Sequence, residues 1–167
     1  PPSIRARFNL FINPNIIRVI TVTVCAAISS LGLYTYLSNL VDQYPSVYSI
    51  PIYLTIWGIG GLIGSFGIGF ILDKFKSTNL IMLSIMVFLL ISFILLPFII
   101  QIPLLSSVPF LIWGAMGWAT QAPQQHILIK QHQDYGSTAV ALNSSINYLG
   151  SSIGSALYLS LIHISEP

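Results

Sequence analysis

The placement of charged residues along this chain is the feature that most restricts its fold. Only six of the 167 residues are Lys or Arg, and they form three basic groups. Those groups are Arg5/Arg7/Arg18, Lys74/Lys76 and Lys130. Four stretches carry no formal charge, and they cover residues 19–41, 43–72, 77–125 and 135–162. Because a helix that crosses a bilayer needs about 20 mostly apolar residues, each stretch can hold at least one crossing.

These stretches predict five transmembrane helices, because irregular backbone cannot face lipid and the third stretch, with 49 residues, can hold two helices. Four of the predicted helices span residues 16–40, 51–72, 79–100 and 104–121, and the fifth begins near Ser137. An even number of crossings then separates each basic group from the next. All three groups emerge on one side of the membrane, and the positive-inside rule makes that side cytoplasmic. The polar stretch 124–134 is predicted to be a loop on the same side.

The composition predicts the same class of protein. Charged residues make up 6% of the chain and apolar residues 54%, whereas a soluble domain has about 25% charged residues. Too little polar surface is available to cover a water-soluble fold. No basic group is dense enough to indicate a nucleic-acid partner. The predicted fold class is therefore all-α, a polytopic membrane helix bundle with about five transmembrane helices.

The two ends of the chain suggest that it is a fragment. It begins Pro1-Pro2 without a Met, so we expect the natural start to lie upstream. The last nine residues, LSLIHISEP, resemble a translated sequencing adapter. Residues 1–158 are accordingly interpreted as part of one membrane domain, and residues 159–167 as a non-native tail that cuts the last helix short.

The second predicted helix carries two parallel rows of small residues. One row consists of Gly61, Ser65 and Gly69, and the other of Gly60 and Gly64. Residues four apart lie on one side of a helix, where small side chains allow a second backbone to approach closely. Tight helix packing is the preferred interpretation of both rows, ahead of direct contact with a ligand. A smooth surface of this kind also permits two helices to slide.

The row continues into a short charged turn, GFILDKFKST, which contains Gly69, Asp73, Lys74 and Lys76. Taken alone, these residues are best interpreted as a solvated turn that sets topology. The alternative is a latch, in which Asp73 accepts hydrogen bonds from the N-terminal N–H groups of a neighbouring helix.

This turn resembles the loop signature of the major facilitator superfamily of secondary transporters. The signature has a Gly four residues before an Asp, followed by basic residues, and it occurs in both six-helix halves of the family's fold. The resemblance implies half of a major-facilitator-type fold and favours the latch. Lys76 departs from the pattern, because the family usually has Gly there, and Ser77-Thr78 replace a basic pair.

The fifth predicted helix carries a polar stripe in a membrane segment. Asn143, Asn147, Ser151 and Ser155 are spaced four residues apart, and Gly150 and Gly154 lie beside them. Polar groups in a membrane are costly unless they face protein or water. Two interpretations stand about equally: the stripe borders an aqueous cavity, or its amides join helices as hydrogen-bonding packing residues.

This helix, STAVALNSSINYLGSSIGSA, resembles the eleventh helix of the drug:proton antiporter and sugar-efflux subgroup of that superfamily. The run YTYL resembles the subgroup's seventh helix, and WGAMGWATQAPQQ resembles its tenth. The resemblance covers residues 16–156 and implies helices seven to eleven of twelve, the C-terminal half. Residues that it suggests along a substrate path are Tyr34, Tyr36, Trp113, Trp118, Gln121, Asn143, Asn147 and Ser151. For each aromatic residue or Gln121, a role in packing or at the membrane interface is the preferred alternative.

Other classes of site have no signature in the sequence. His126 and His132 stand six residues apart without Cys or carboxylate neighbours, so we expect solvated histidines and no metal site. No catalytic arrangement or cofactor motif occurs, and we expect neither enzyme activity nor a cofactor. No predicted helix has a charged residue in its central part. If transport is proton-coupled, we expect the titrating group in the missing N-terminal half.

The resemblance implies a secondary active transporter of the plasma or inner membrane that exports a small organic molecule, drug-like or sugar-like, by proton antiport through alternating access. The expected partners are that small-molecule substrate, membrane lipid and the N-terminal half of the same protein. An uptake permease of the same superfamily is the first alternative. From another class, the alternative is an integral-membrane assembly subunit or enzyme without transport activity.

Overall fold

All regular structure in the described part of the chain is α-helical. The computed structural model describes residues 12–44, 47–131 and 135–165, and no strand occurs in these ranges. The helices are α1 Pro14–Gln43, α2 Ile50–Lys74, α3 Thr78–Ile99, α4 Ser107–Ala119, α5 Gln121–Gln131 and α6 Gly136–Ser165. The ends of α1, α2 and α3 lie within three residues of the predicted ends, which confirms these three helices.

Three of these helices are suited by length and composition to cross a membrane. They are α1, α2 and α3, with mean hydropathies of 2.0, 1.7 and 2.8 over their most apolar segments. Large apolar side chains on their outer faces are exposed, among them Phe66, Phe70 and Phe98, each more than 70% accessible. Contiguous exposed apolar surface of this kind is unfavourable in water and favourable in lipid. The protein is therefore an all-α membrane helix bundle.

Helix α4 is shorter at both ends than the predicted helix 104–121. It begins at Ser107 because the chain before it forms turns, in which Leu104 has a positive φ of 63°. It ends at Ala119 because Pro123 has no N–H to donate to the Ala119 carbonyl four residues earlier. Its 13 residues extend about 20 Å, less than the hydrocarbon core of a bilayer.

The prediction of a polar loop at 124–134 was wrong for its first eight residues. These residues belong to α5, whose Pro123 stands in the first turn, where proline is tolerated. Gln124, Ile127 and Leu128 are buried on one face of α5, and Lys130 is exposed. The spacing of the three buried residues is that of an amphipathic helix. Residues 132–134, including the predicted loop residue His132, lie outside the described part.

Helix α6 has 30 residues, enough to cross a bilayer, yet it is more polar than α2 and α3. Its first two-thirds contain the polar stripe and the two glycines identified in the sequence, which lower its hydropathy. The helix continues through Ser165, so residues 159–165 are helical in the structure.

The chain divides into two compact units. The first comprises Pro1–Thr35 and Gln124–Pro167, and the second comprises Tyr36–Pro123. The second unit is organised around a contact between α2 and α4. A Cβ atom at Gly60 would collide with the Leu111 carbonyl oxygen, and one at Gly64 would collide with the Ala115 carbonyl oxygen. The same residue offset at both contacts means that α2 and α4 run parallel.

The first unit contains a similar close contact between α1 and α6. A Cβ atom at Gly154 would meet the Ile28 carbonyl oxygen, and one at Gly150 would lie 3.0 Å from the Ala27 Cβ. One turn further along, Gly32 on α1 accommodates the Tyr158 ring of α6. Both helices advance in the same direction through these contacts, so they are also parallel. For α2 and α4 a parallel arrangement is expected if α2 and α3 each cross the bilayer once, because the chain then enters α4 on the side where α2 begins.

We expect Gly64→Ala to destabilise the protein by about 1–3 kcal/mol, because the added methyl group meets the α4 backbone, which cannot move away as a side chain could. Gly58→Ala on the same helix is the matched control, since a Cβ there has open space around it. Thermal unfolding of the full-length protein in detergent measures both variants. Equal melting temperatures for the two would contradict the assigned contact.

Candidate functional site

A buried network of uncharged polar side chains joins three helices of the first unit. Thr23 of α1, Gln124 of α5 and Asn143 of α6 are each 1% exposed. The Thr23 hydroxyl donates to Asn143 Oδ1 at 2.6 Å, and Asn143 Nδ2 donates to Gln124 Oε1 at 3.0 Å. Hydrogen bonding between helices offsets the cost of burying polar groups away from water. Asn143 is therefore a structural junction between α1, α5 and α6.

The proton count of this network indicates how its amides are oriented. The Thr23 hydroxyl lies 2.9 Å from the Val19 carbonyl as well as 2.6 Å from Asn143, yet it has one proton to donate. If both amides are turned over, Gln124 donates to Asn143, Asn143 donates to Thr23, and Thr23 donates to Val19. Each of these contacts then has one donor and one acceptor, so this orientation satisfies Thr23 without a shared proton.

The polar stripe of α6 divides into two kinds of residue. Asn143 and Ser155 both bond to α1, the second through the Thr35 hydroxyl, which donates to Ser155 Oγ at 3.1 Å. Asn147 and Ser151, between them, are half-buried. The Ser151 hydroxyl donates to the Asn147 carbonyl within α6. The Asn147 side chain forms no hydrogen bond to any other described residue, so its amide is available to a solute.

The other residues predicted along a substrate path lie in different surroundings. Tyr34 is 42% exposed. Tyr36 is half-buried, and its hydroxyl accepts from Gln43 Nε2 at 3.2 Å. Gln121 is half-buried at the first position of α5. Their contribution to a substrate path remains a prediction.

The two tryptophans predicted in the same region lie at the α2–α4 contact of the second unit. Trp113 is 1% exposed and its ring lies 5.8 Å from that of Trp57 and 5.8 Å from that of Phe93. Trp118 is 42% exposed and packs over Gly61, where a Cβ would lie 2.6 Å from its ring. Trp113 thus belongs to the core of this unit, whereas Trp118 retains one free face.

The small residues predicted on α2 do not share one environment. Gly60, Gly61 and Gly64 are buried against α4, whereas Ser65 and Gly69 are exposed, and a Cβ at Gly69 would have open space around it. On α6, Gly150 and Gly154 both lie against α1. The observed contact row on α2 therefore rotates away from Gly69 and does not reach the charged turn.

The charged turn itself is exposed. Helix α2 ends at Lys74, and the Ser77 hydroxyl accepts from the Leu80 N–H at 3.4 Å to cap α3. Asp73, Lys74 and Lys76 are exposed, and none of them forms an ion pair or side-chain hydrogen bond with another described residue. These three side chains can therefore bind a group outside the described chain.

The described residues contain no cluster of His, Cys, Asp or Glu that could hold a metal ion. His126 is exposed on α5, on the face opposite Gln124. Sequence reasoning missed Thr23 and Gln124, the two partners of Asn143. The spacing of Gln124, Ile127 and Leu128 indicates one face of a helix, but the polar residues around them favoured the prediction of a loop.

Comparison with known proteins gives a family and two relatives. A family profile described as Major Facilitator Superfamily matches residues 1–155. The chain is 24% identical over 160 residues to the inner membrane transport protein YdhP of Escherichia coli strain K12, and equally to that of Escherichia coli O157:H7. Each alignment covers 93% of this chain and 39% of the relative, so the chain spans less than half the length of these relatives. No solved structure matches the chain.

We expect Asn143→Leu to lower stability by about 1–3 kcal/mol, because it leaves the Gln124 amide buried without its partner. Asn147→Leu is the matched control on the same helix, and we expect little loss of stability from it. Thermal unfolding in detergent measures both. A stable Asn143→Leu protein would show that the network is not a structural junction.

Proposed function

The chain belongs to the Major Facilitator Superfamily, and from this membership we propose that it forms part of a secondary active transporter. The observation that carries the proposal is the family match over residues 1–155, in a bundle whose outer faces are apolar. The two relatives are inner membrane transport proteins, which supports a multi-pass protein of the plasma or inner membrane. We propose that its basic turns face the cytoplasm and that the chain supplies helices seven to eleven, in the C-terminal half.

The proposed mechanism is alternating access, in which two halves of a transporter rock around a central site. The parallel pairs α1/α6 and α2/α4 support it, because close backbone contact at glycine makes each pair a stiff unit that can move as one body. Rocking requires rigid helix pairs of this kind, because a flexible bundle would deform instead of tilting.

The proposed cargo is a small organic molecule, drug-like or sugar-like, exported in exchange for protons. Asn147 and Ser151 of α6 are proposed to border its path, with Tyr34, Tyr36 and Gln121 as further contacts. Uncharged amide, hydroxyl and aromatic groups, half-buried except for the exposed Tyr34, suit hydrogen bonding and stacking with such a molecule. Asn143 is proposed to border the path only indirectly, by holding α6 against α1 and α5.

The exposed turn after α2 is proposed to act as a gate. Asp73 would accept hydrogen bonds from the N-terminus of a helix in the other half and so close one face of the transporter, with Lys74 and Lys76 beside it. Its support is that Asp73 extends from the last turn of a membrane helix and has no partner among the described residues. Gly69 is proposed to leave room for the approaching helix.

Everted membrane vesicles with an acidic lumen test both the direction of transport and the gate. An exporting proton antiporter accumulates ethidium or radiolabelled lactose in the lumen, and a protonophore abolishes the accumulation. We expect Asp73→Asn to slow it about tenfold, since a hydrogen bond to a charged group is worth about 1.5–3 kcal/mol. Asp42→Asn, which removes an exposed carboxylate outside the gate, is the control. A proton symporter for uptake would not accumulate either probe, and normal rates for Asp73→Asn would refute the gate.

We expect Asn147→Ala to raise the KM of the transported probe about tenfold, because the substrate loses a hydrogen bond at a partly desolvated site. Ser145→Ala is the control, since Ser145 is exposed on the same helix and, among the described residues, bonds only to the Ala141 carbonyl. Initial rates in the same vesicles give KM and the maximal rate for each variant. An unchanged KM would remove Asn147 from the substrate path.

A further inference from the structure

A groove of about 680 Å³ opens between α2 and α3, over part of α4, at the end where the chain turns from α2 into α3. Aliphatic, aromatic and glycine residues form nearly all of its wall, including Ile71, Phe75 and Phe88. The polar side chains of the wall are Lys76, Ser77 and Ser84. Of the residues proposed above for transport or gating, only Lys76 lines this groove.

The base of the groove is a packed hydrophobic cluster. Ile68 of α2, Ile81 and Ile85 of α3 and Ala119 of α4 are buried against one another. Each of these four residues also lines the groove. The groove is therefore a depression on the surface of a firm core, with a fixed floor.

The length of the groove matches one leaflet of a bilayer. Along α3 its lining extends from Ser77 to Phe88, a rise of about 16 Å at 1.5 Å per residue. Half of the hydrocarbon core of a bilayer is about 15 Å thick. An apolar groove that begins at the end of a membrane helix and extends this far runs alongside the acyl chains of one leaflet.

The wall of the groove suits an acyl chain. Beyond the turn its lining is aliphatic, aromatic and glycine apart from Ser84, whose hydroxyl donates to the Leu80 carbonyl within α3. An acyl chain needs no hydrogen-bond partner, so it can lie against such a wall without leaving a polar group unpaired.

The charge at the mouth of the groove selects the headgroup. Lys76 lies in the turn between the membrane helices α2 and α3, and its side chain is exposed. Lys74, two residues earlier, does not line the groove. Among the carboxylates, Asp73 is near in sequence but is likewise absent from the wall. The mouth is therefore cationic, and basic side chains at this depth attract anionic lipids.

We propose that this groove binds one acyl chain of an anionic phospholipid, whose headgroup phosphate pairs with the Lys76 ammonium. The site tethers a lipid beside the turn that contains Asp73, so lipid composition can influence the proposed gate. The binding site itself does not depend on the transport proposal, because it rests on the groove and its charge alone.

The test uses the full-length protein in detergent with a phosphatidylglycerol that carries a photoactivatable group in its acyl chain. We expect labelling of peptides from α2 and α3 that line the groove. Phosphatidylglycerol should compete better than phosphatidylcholine, and Lys76→Gln should lower labelling about fivefold, whereas Lys74→Gln leaves it unchanged. Equal labelling of the two lysine variants, or equal competition by the two lipids, would overturn the proposal.

A second pair of variants blocks the groove without touching its charge. Gly67 lines the groove, and a Cβ there meets nothing within 4 Å, so Gly67→Leu fills the space without displacing the backbone. Gly58→Leu on the same helix, also with open space but outside the groove, is the control. We expect the first to abolish labelling and the second to preserve it. A photoreactive residue at Ser84 that joins to another segment of the protein, and not to lipid, would show that protein covers the groove and refute the proposal.

Discussion

Close contact between helix backbones is the interaction on which both compact units depend. In a bilayer, apolar side chains gain little by leaving lipid for one another, so helices associate through dispersion contacts and hydrogen bonds that need short distances. Gly60 and Gly64 provide those distances between α2 and α4, and Gly150 and Gly154 provide them between α1 and α6. At three of these four positions a methyl group would collide with a carbonyl oxygen of the partner helix.

The buried amides complete one of these contacts with directional bonds. Asn143 bonds to Thr23 across the α1–α6 contact and to Gln124 on α5. A hydrogen bond between two helices fixes their register. Apolar packing between similar aliphatic side chains does not. Glycine thus sets how near α1 and α6 lie, and Asn143 sets which residues face each other. The side chain of the half-buried Asn147, one turn further along α6, forms no hydrogen bond to another described residue.

The turn between α2 and α3 gathers the other functional features. Its acidic residue, Asp73, is exposed and unpaired among the described residues, while Lys76 stands at the mouth of an apolar groove one leaflet deep. The two lysines that look equivalent in the sequence therefore differ: Lys74 belongs to the end of α2, and Lys76 belongs to the groove. If this turn contains both a gate and a lipid site, the lipid composition of the membrane can influence transport.

The sequence by itself determined the fold class, and it did so through charge and hydropathy, because a bilayer accepts only long uncharged helical segments. It also identified α1, α2 and α3 to within a few residues and the turn that contains Asp73. It did not identify α5, because polar residues surround Gln124, Ile127 and Leu128, and only the tertiary structure shows that these three are buried on one face of a helix. Nor could it separate Asn143 from Asn147, or Gly61 from Gly69, since residues four or eight apart lie on one side of a helix. Only the tertiary structure decided which of them meet a partner, because the rotation of each helix is fixed by the neighbour it packs against.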